Sequence, residues 1–186
     1  MALIEARPTD KADLIPDYPL LPTRRRFWET AIRAIDNGGK SGQLRTQLRI
    51  VQEANKSVAD RPIGWVVGAD VMYDQLKDDM QQTGILSRDI TTRINEENDG
   101  TEEGRLRSRI CALAFLIATL PTQGPSATGL KTTPETLADL LVEDLNAGSA
   151  PLRQMIPVLL TALVDSGALI EVEGGYSLQT RESADW

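Results

Sequence analysis

The pattern that most restricts the fold lies between Leu106 and Leu178. Leu106, Ile110, Leu113, Ile117 and Leu120 recur at i, i+4, i+7, i+11 and i+14, which predicts a strongly amphipathic helix ended by Pro121. A Gly, Pro, Ser and Thr loop follows. Thr133 then predicts an N-cap, with Pro134 in the first helical position and Leu137, Leu140, Leu141 and Leu145 facing inward. Gly148 stops that helix. A third runs from Ser149-Ala150-Pro151 to Ser166, is bent at Pro157, and is terminated by Gly167. Two short apolar runs, Ala168–Val172 and Tyr176–Gln179, flank Glu173-Gly174-Gly175 and read as a β-hairpin.

Three helices followed by a hairpin describe a winged helix-turn-helix. The rest of the chain is also helical. Residues 1–22 hold Pro8, Pro16, Pro19 and Pro22 and are expected to be extended, packing through Tyr18, Leu20 and Leu21. One helix follows from about Arg24 to Asn37. Another follows from about Gly42 to Val58, with Leu44, Leu48 and Val51 inward and Arg45, Arg49, Gln52 and Lys56 outward. Asp70 is expected to cap a helix burying Met72, Leu76 and Met80, and Ser87 one burying Ile90 and Ile94. Residues 95–100 are acidic, polar and end in glycine, as a linker does. The expected fold is mainly α: an extended segment over 1–22, a helical lid-like domain over 23–99, and a winged-helix domain with its C-terminal β-hairpin over 100–186.

Composition removes several chemistries. The 186 residues include no histidine, which excludes histidine general bases, Ser-His triads and histidine-ligated metals. No metal site is expected. The single cysteine, Cys111, sits in an apolar helical pattern and reads as a buried small hydrophobe. No run approaches 18 apolar residues and the N-terminus has no signal-peptide pattern, so the expectation is a cytoplasmic protein with no membrane partner. The formal net charge is −7, unevenly spread. Residues 1–60 carry ten Lys/Arg against eight Asp/Glu, and residues 109–186 carry four against nine. Any anion-binding function should therefore lie in the N-terminal third.

Gly38-Gly39-Lys40-Ser41 resembles the end of a phosphate-binding loop, but the rest of the motif is missing. The first glycine of Gly-x-x-x-x-Gly-Lys-Ser would fall at position 34, which is Ala34. The loop must follow a buried strand, whereas Trp28, Ile32 and Ile35 repeat at helical spacing. No downstream apolar strand ends in a carboxylate for magnesium. No catalytic residue is assigned, and this chain alone should not hydrolyse ATP.

The third helix of a DNA-reading winged helix enters the major groove with cationic support. From Ser149 to Ser166 the chain has one cation, Arg153, and one anion, Asp165, while Glu135, Asp139, Glu143 and Asp144 precede it. Carboxylates there oppose counterion release, which favours protein packing over direct DNA binding. DNA contact, where it occurs, would fall to Arg24, Arg25, Arg26 and Arg153. The first three also suit a nucleotide or a partner, since cations at a helix N-terminus oppose its dipole.

The stretches Arg24-Arg25-Arg26-Phe27-Trp28-Glu29 and Gly42-Gln43-Leu44-Arg45-Thr46-Gln47-Leu48-Arg49-Ile50 resemble the segment that follows the ATPase core in BrxC/PglY-type proteins. These are large P-loop ATPases of bacteriophage-exclusion (BREX) defence systems. Ala59–Gly64, Leu137–Val142 and Tyr176–Glu182 are similar as well, so the resemblance spans most of the chain from about Tyr18. It implies an interior piece of a longer ATPase, without its Walker loops. Gly42-x-x-Arg45 also resembles the sensor-2 motif of AAA+ ATPases, whose helical lid precedes a winged helix. That likeness implies a γ-phosphate contact for Arg45, with Arg49 one turn later as the fallback. Arginine and helix dipole there act together on an anion. ATP and magnesium are implied only for the missing core. The implied partners are that core or other defence-system proteins. An independent DNA-binding regulator is the alternative, and a protein-interaction adaptor a third reading.

Overall fold

A computed structural model describes residues 3–35, 43–124 and 126–179, with side chains at 43–45 excepted. Among the described residues the helices are α1 (Asp10–Asp17), α2 (Pro22–Ile35), α3 (Gln43–Val58), α4 (Val71–Gln82), α5 (Arg88–Glu96), α6 (Glu102–Ala118), α7 (Pro134–Leu141) and α8 (Ala150–Asp165). Last among the described elements is an antiparallel hairpin of β1 (Leu169–Val172) and β2 (Gly175–Leu178), with Leu169 opposite Leu178 and Val172 opposite Gly175. The architecture is mainly helical with one small hairpin.

Helix α6 is the centre. Every residue from Ile110 to Ile117 is buried, so the C-terminal half of the helix is apolar on all sides, while the first half keeps a charged face. Cys111, Ala112 and Ala114 fill the positions between the large side chains, which lets neighbours approach from several directions. Helices α4, α5, α7 and α8 and strand β2 all pack on it. Burial pushes the Cys111 thiol up to about 12, so it stays protonated and inert.

Ser87 and Thr133 cap as expected, and Thr101 is a further cap beyond those expected. Thr101, Ser87 and Thr133 each accept a hydrogen bond from the backbone N–H three residues on. Asp70 does not cap α4; its carboxylate is taken by Arg109. Helix α7 stops at Leu141, which leaves Leu145 45% exposed rather than inward. The proline-rich start is not wholly extended, because Asp10–Asp17 forms α1. Its helix is held by side chains outside itself, as described below.

Helix α3 is rotated from the expectation. Ile50 and Ala54 are buried, while Leu48 is 63% exposed and Val51 is 37% exposed. The helix carries apolar residues on two sides, and the side with the smaller Ala54 fits against α4.

Residues 97–101 form a tight turn instead of a free connection. Asp99 accepts from the Thr101 N–H at 2.9 Å and hydroxyl at 2.6 Å, and Arg107 reaches Glu97 at 3.1 Å and Asp99 at 2.9 Å. The Thr101 hydroxyl and N–H, then Arg107, hold the Asp99 carboxyl at about 2. One apolar core, from Leu20 to Leu169, runs across this turn. The lid-like and winged-helix regions expected at 23–99 and 100–186 therefore share their interior.

Candidate functional site

Successive residues on a helix point about 100° apart, and this separates the three arginines that looked like a cluster. Arg24 points into the protein and is fully buried. Its guanidinium donates to the carbonyls of Val67 and Val142, and to that of Asp139 at 3.2 Å. The chain from Gly64 to Ala69 is brought there by a line of backbone bonds. Val67 N donates to Pro19 O, Ala69 N to Leu140 O and Val66 N to Glu143 O, at 2.8–3.0 Å. Trp28 Nε1 adds a bond to Ala69 O at 2.8 Å.

A second arginine completes this centre. Arg109 of α6 binds Asp70 through two bonds, at 2.7 and 3.0 Å, and Glu143 at 2.9 Å. Gly68 lies against the pair: a Cβ there would stand 2.5 Å from an Asp70 carboxylate oxygen and 2.7 Å from the Arg109 guanidinium. Burial pulls the Arg24 pKa down to about 10, against the fields of Asp70 and Glu143. Burial also opposes the charge on Arg109, but Asp70 and Glu143 outweigh it and its pKa is raised. Buried Arg24 and Asp70 thus sit with half-buried Arg109 and Glu143, two cations and two carboxylates whose charges balance.

Arg25 and Arg26 are turned toward α1. Arg25 binds Asp17 at 2.7 Å, Asp13 at 3.1 Å and Glu29 at 3.4 Å. Arg26 forks onto Asp10 and donates to Glu5 O at 2.8 Å. The Arg26 guanidinium, with the Arg7 N–H, holds the Asp10 carboxyl below the usual carboxylate range. The expected partner for these three cations is therefore the protein itself, and Arg24 has no surface to offer a nucleotide, DNA or a second protein. Acid residues at Asp10, Asp13 and Asp17, spaced to share one helical face, were the signal for this in the sequence.

Of the other expected contacts, Arg49 is half exposed and reaches Gln75 O at 3.2 Å and Asp79 at 3.4 Å. Arg45 lies in the first turn of α3, and its side chain falls outside the described residues, as do Gly38–Ser41. The chain before that loop is α2, a helix and not a strand. Arg153 is tied to Asp139 and to Ser149 Oγ at 3.1 Å.

The Arg109, Asp70 and Glu143 group was missed. An arginine next to Ile110 in the middle of an apolar helix was the available clue. Arg93 was missed too; it donates to Gly167 O and so closes the end of α8. Beside the hairpin, Ile117, Leu120, Lys131, Val172 and Tyr176 border a groove of about 380 Å3, with Lys131 Nζ donating to Glu173 O at 2.7 Å.

The outer face of α8 has a different character. Gln154, Met155, Pro157, Val158, Thr161 and Ala162 are all exposed and uncharged, with exposed Arg153 toward one end of the helix and exposed Asp165 at the other. Met155 is 41% exposed and Val158 67%. Among the described residues no group of histidine, cysteine and carboxylate side chains could hold a metal, and no helix is long and apolar enough to cross a membrane.

Compared with known proteins, the sequence matches no family model, and no curated protein or solved structure is significantly similar to it.

Proposed function

We propose that α6, α7, α8 and the β1–β2 hairpin form a winged helix that binds a protein partner, within a non-catalytic regulatory piece of a BREX-type, AAA+-like ATPase. The helix order and the terminal hairpin support the winged-helix reading. The observation that carries the function is the exposed, uncharged middle of α8, from Gln154 to Ala162. Duplex DNA is bound chiefly through phosphates by cations. The one cation on this helix, Arg153, already holds Asp139 and Ser149. An exposed face built on Met155 and Val158 suits an apolar partner surface instead.

The partner in this reading is the ATPase core of the same system, supported by the resemblance of Arg24–Glu29 and Gly42–Ile50 to the segment after that core. Arg45, in the first turn of α3, is the residue that would meet a nucleotide phosphate there, with Arg49 as its fallback. ATP and magnesium would belong to the core.

Two measurements test this. Co-purification with a BREX ATPase core should be lost on Val158→Glu and kept on Arg153→Ala. Fluorescence anisotropy with duplex DNA should show weak binding with a shallow salt slope. Tight DNA binding that falls steeply with salt and disappears in Arg153→Ala would instead establish the DNA-binding regulator.

A further inference from the structure

Helix α1 is built inside out. A surface helix ordinarily buries its apolar stripe and solvates its charges. Here Asp10, Asp13 and Asp17 face inward onto Arg25 and Arg26. Leu14, Ile15 and Tyr18, three and four residues apart on the other side, are 47%, 89% and 44% exposed. The cost of leaving such residues in water is offset only if something covers them.

The stripe does not end with the helix. The Tyr18 hydroxyl accepts from Gly64 N at 3.3 Å, Leu145 N donates to Gly64 O at 2.9 Å, and Asn146 Nδ2 donates to Ile63 O at 3.3 Å. These bonds place Ile63, 90% exposed, and Leu145, 45% exposed, beside Tyr18. Five large apolar side chains from three chain segments thus share one surface. At about 200 Å2 per side chain, their exposed fractions amount to on the order of 600 Å2. That reaches the top of the range for the largest patch on a monomer, and approaches the roughly 800 Å2 each partner contributes to a standard interface.

We infer that this surface is a self-association interface, paired with the same surface of a second copy about a two-fold axis. An isologous contact must be complementary to itself. A patch formed from Leu14, Ile15, Tyr18, Ile63 and Leu145 meets that condition, because it has no charge to repel its own image. Charges of both signs neighbour these positions along the chain, Lys11 and Arg61 with Asp60 and Asp144, so the patch is not flanked by one sign alone. Arg61 is already steadied there, its guanidinium 4.6 Å from the Trp65 ring centre. The net charge of −7 opposes association of two copies at long range. Screening that repulsion while leaving the apolar contact intact makes the dimer tighter in salt. None of its five residues belongs to α8.

The test is sedimentation equilibrium of the full chain from about 1 to about 200 µM, a span that brackets micromolar association. The expected result is a monomer–dimer equilibrium that strengthens from about 50 to about 300 mM salt. Ile15→Glu combined with Ile63→Glu should weaken it at least tenfold. At concentrations low enough to keep both proteins monomeric, its circular dichroism and melting should match the wild type, since both side chains are in water in the monomer. Val158→Glu should leave the dimer intact. A wild-type chain that stays monomeric throughout, a double variant that dimerises normally, or loss of the dimer in Val158→Glu would each overturn the proposal. None of these results depends on DNA or ATPase-core binding by α8.

Discussion

Residues 24–26 and residues 133–178 were both read from pattern, and the two regions repaid that reading differently. In the second, local rules hold. Thr133 caps, Pro134 begins α7, Gly167 takes positive φ just past α8, and the hairpin turns at Glu173-Gly174, both with φ above zero; the exception is Gly148, because α7 ends earlier, at Leu141. In the first, three adjacent arginines suggest one basic surface and become three separate interactions. Arg24 is spent on buried carbonyls, while Arg25 and Arg26 are spent on α1. The lesson is that a hydrogen-bonded cap or turn is settled within four residues. The fate of a charge is settled by whatever the fold brings to it.

Substitutions can break or sharpen this contrast. The largest effect is expected for Arg24→Ala, which strands two buried carbonyls and a half-buried third and unbalances Asp70 and Glu143. It should cost about 3–5 kcal/mol in urea unfolding. A loss below about 1 kcal/mol would mean that water reaches those carbonyls. Asp70→Asn keeps the shape but removes a carboxylate from Arg109, and should cost about 2–3 kcal/mol. Thr133→Ala removes only a cap, for about 1 kcal/mol. If it proved more damaging than Arg24→Ala, the contrast would be inverted. Arg153→Ala, in an exposed pair, should change stability by no more than about 0.5 kcal/mol.

The last test concerns pH. The Asp10 carboxyl is held below its usual range by Arg26, and Asp99 at about 2 by Thr101. An unfolded aspartate titrates near 3.9. Each therefore contributes stability fully above that value and loses it as pH falls through the lower folded one. Asp10→Asn should flatten the fall in unfolding midpoint between about pH 5 and pH 3. An unchanged slope would remove Asp10 from the acid response.

The misreadings share a physical cause. In α3, Leu44, Leu48 and Val51 make a fair apolar stripe, but so do Ile50 and Ala54, and only the packing of α4 chooses between them. In α6 the spacing of Leu106 to Leu120 was visible, whereas the burial of Ala112 and Ala114 depended on neighbours closing in from every side. Asp70 has the residue type and position of a cap, and Arg109, 39 residues later, claims it instead. The arginine centre was the least legible part, because its acceptors are backbone carbonyls that no sequence spells out.

Arg24 joins positions 43 and 118 residues away from it through a single side chain. A stitch of that span makes folding an all-or-none affair. Helix α2 cannot loosen without releasing the C-terminal end of α7, nor the reverse. A protease cut in the turn at Asn98–Gly100 should consequently yield two fragments that stay together until both unfold in one transition.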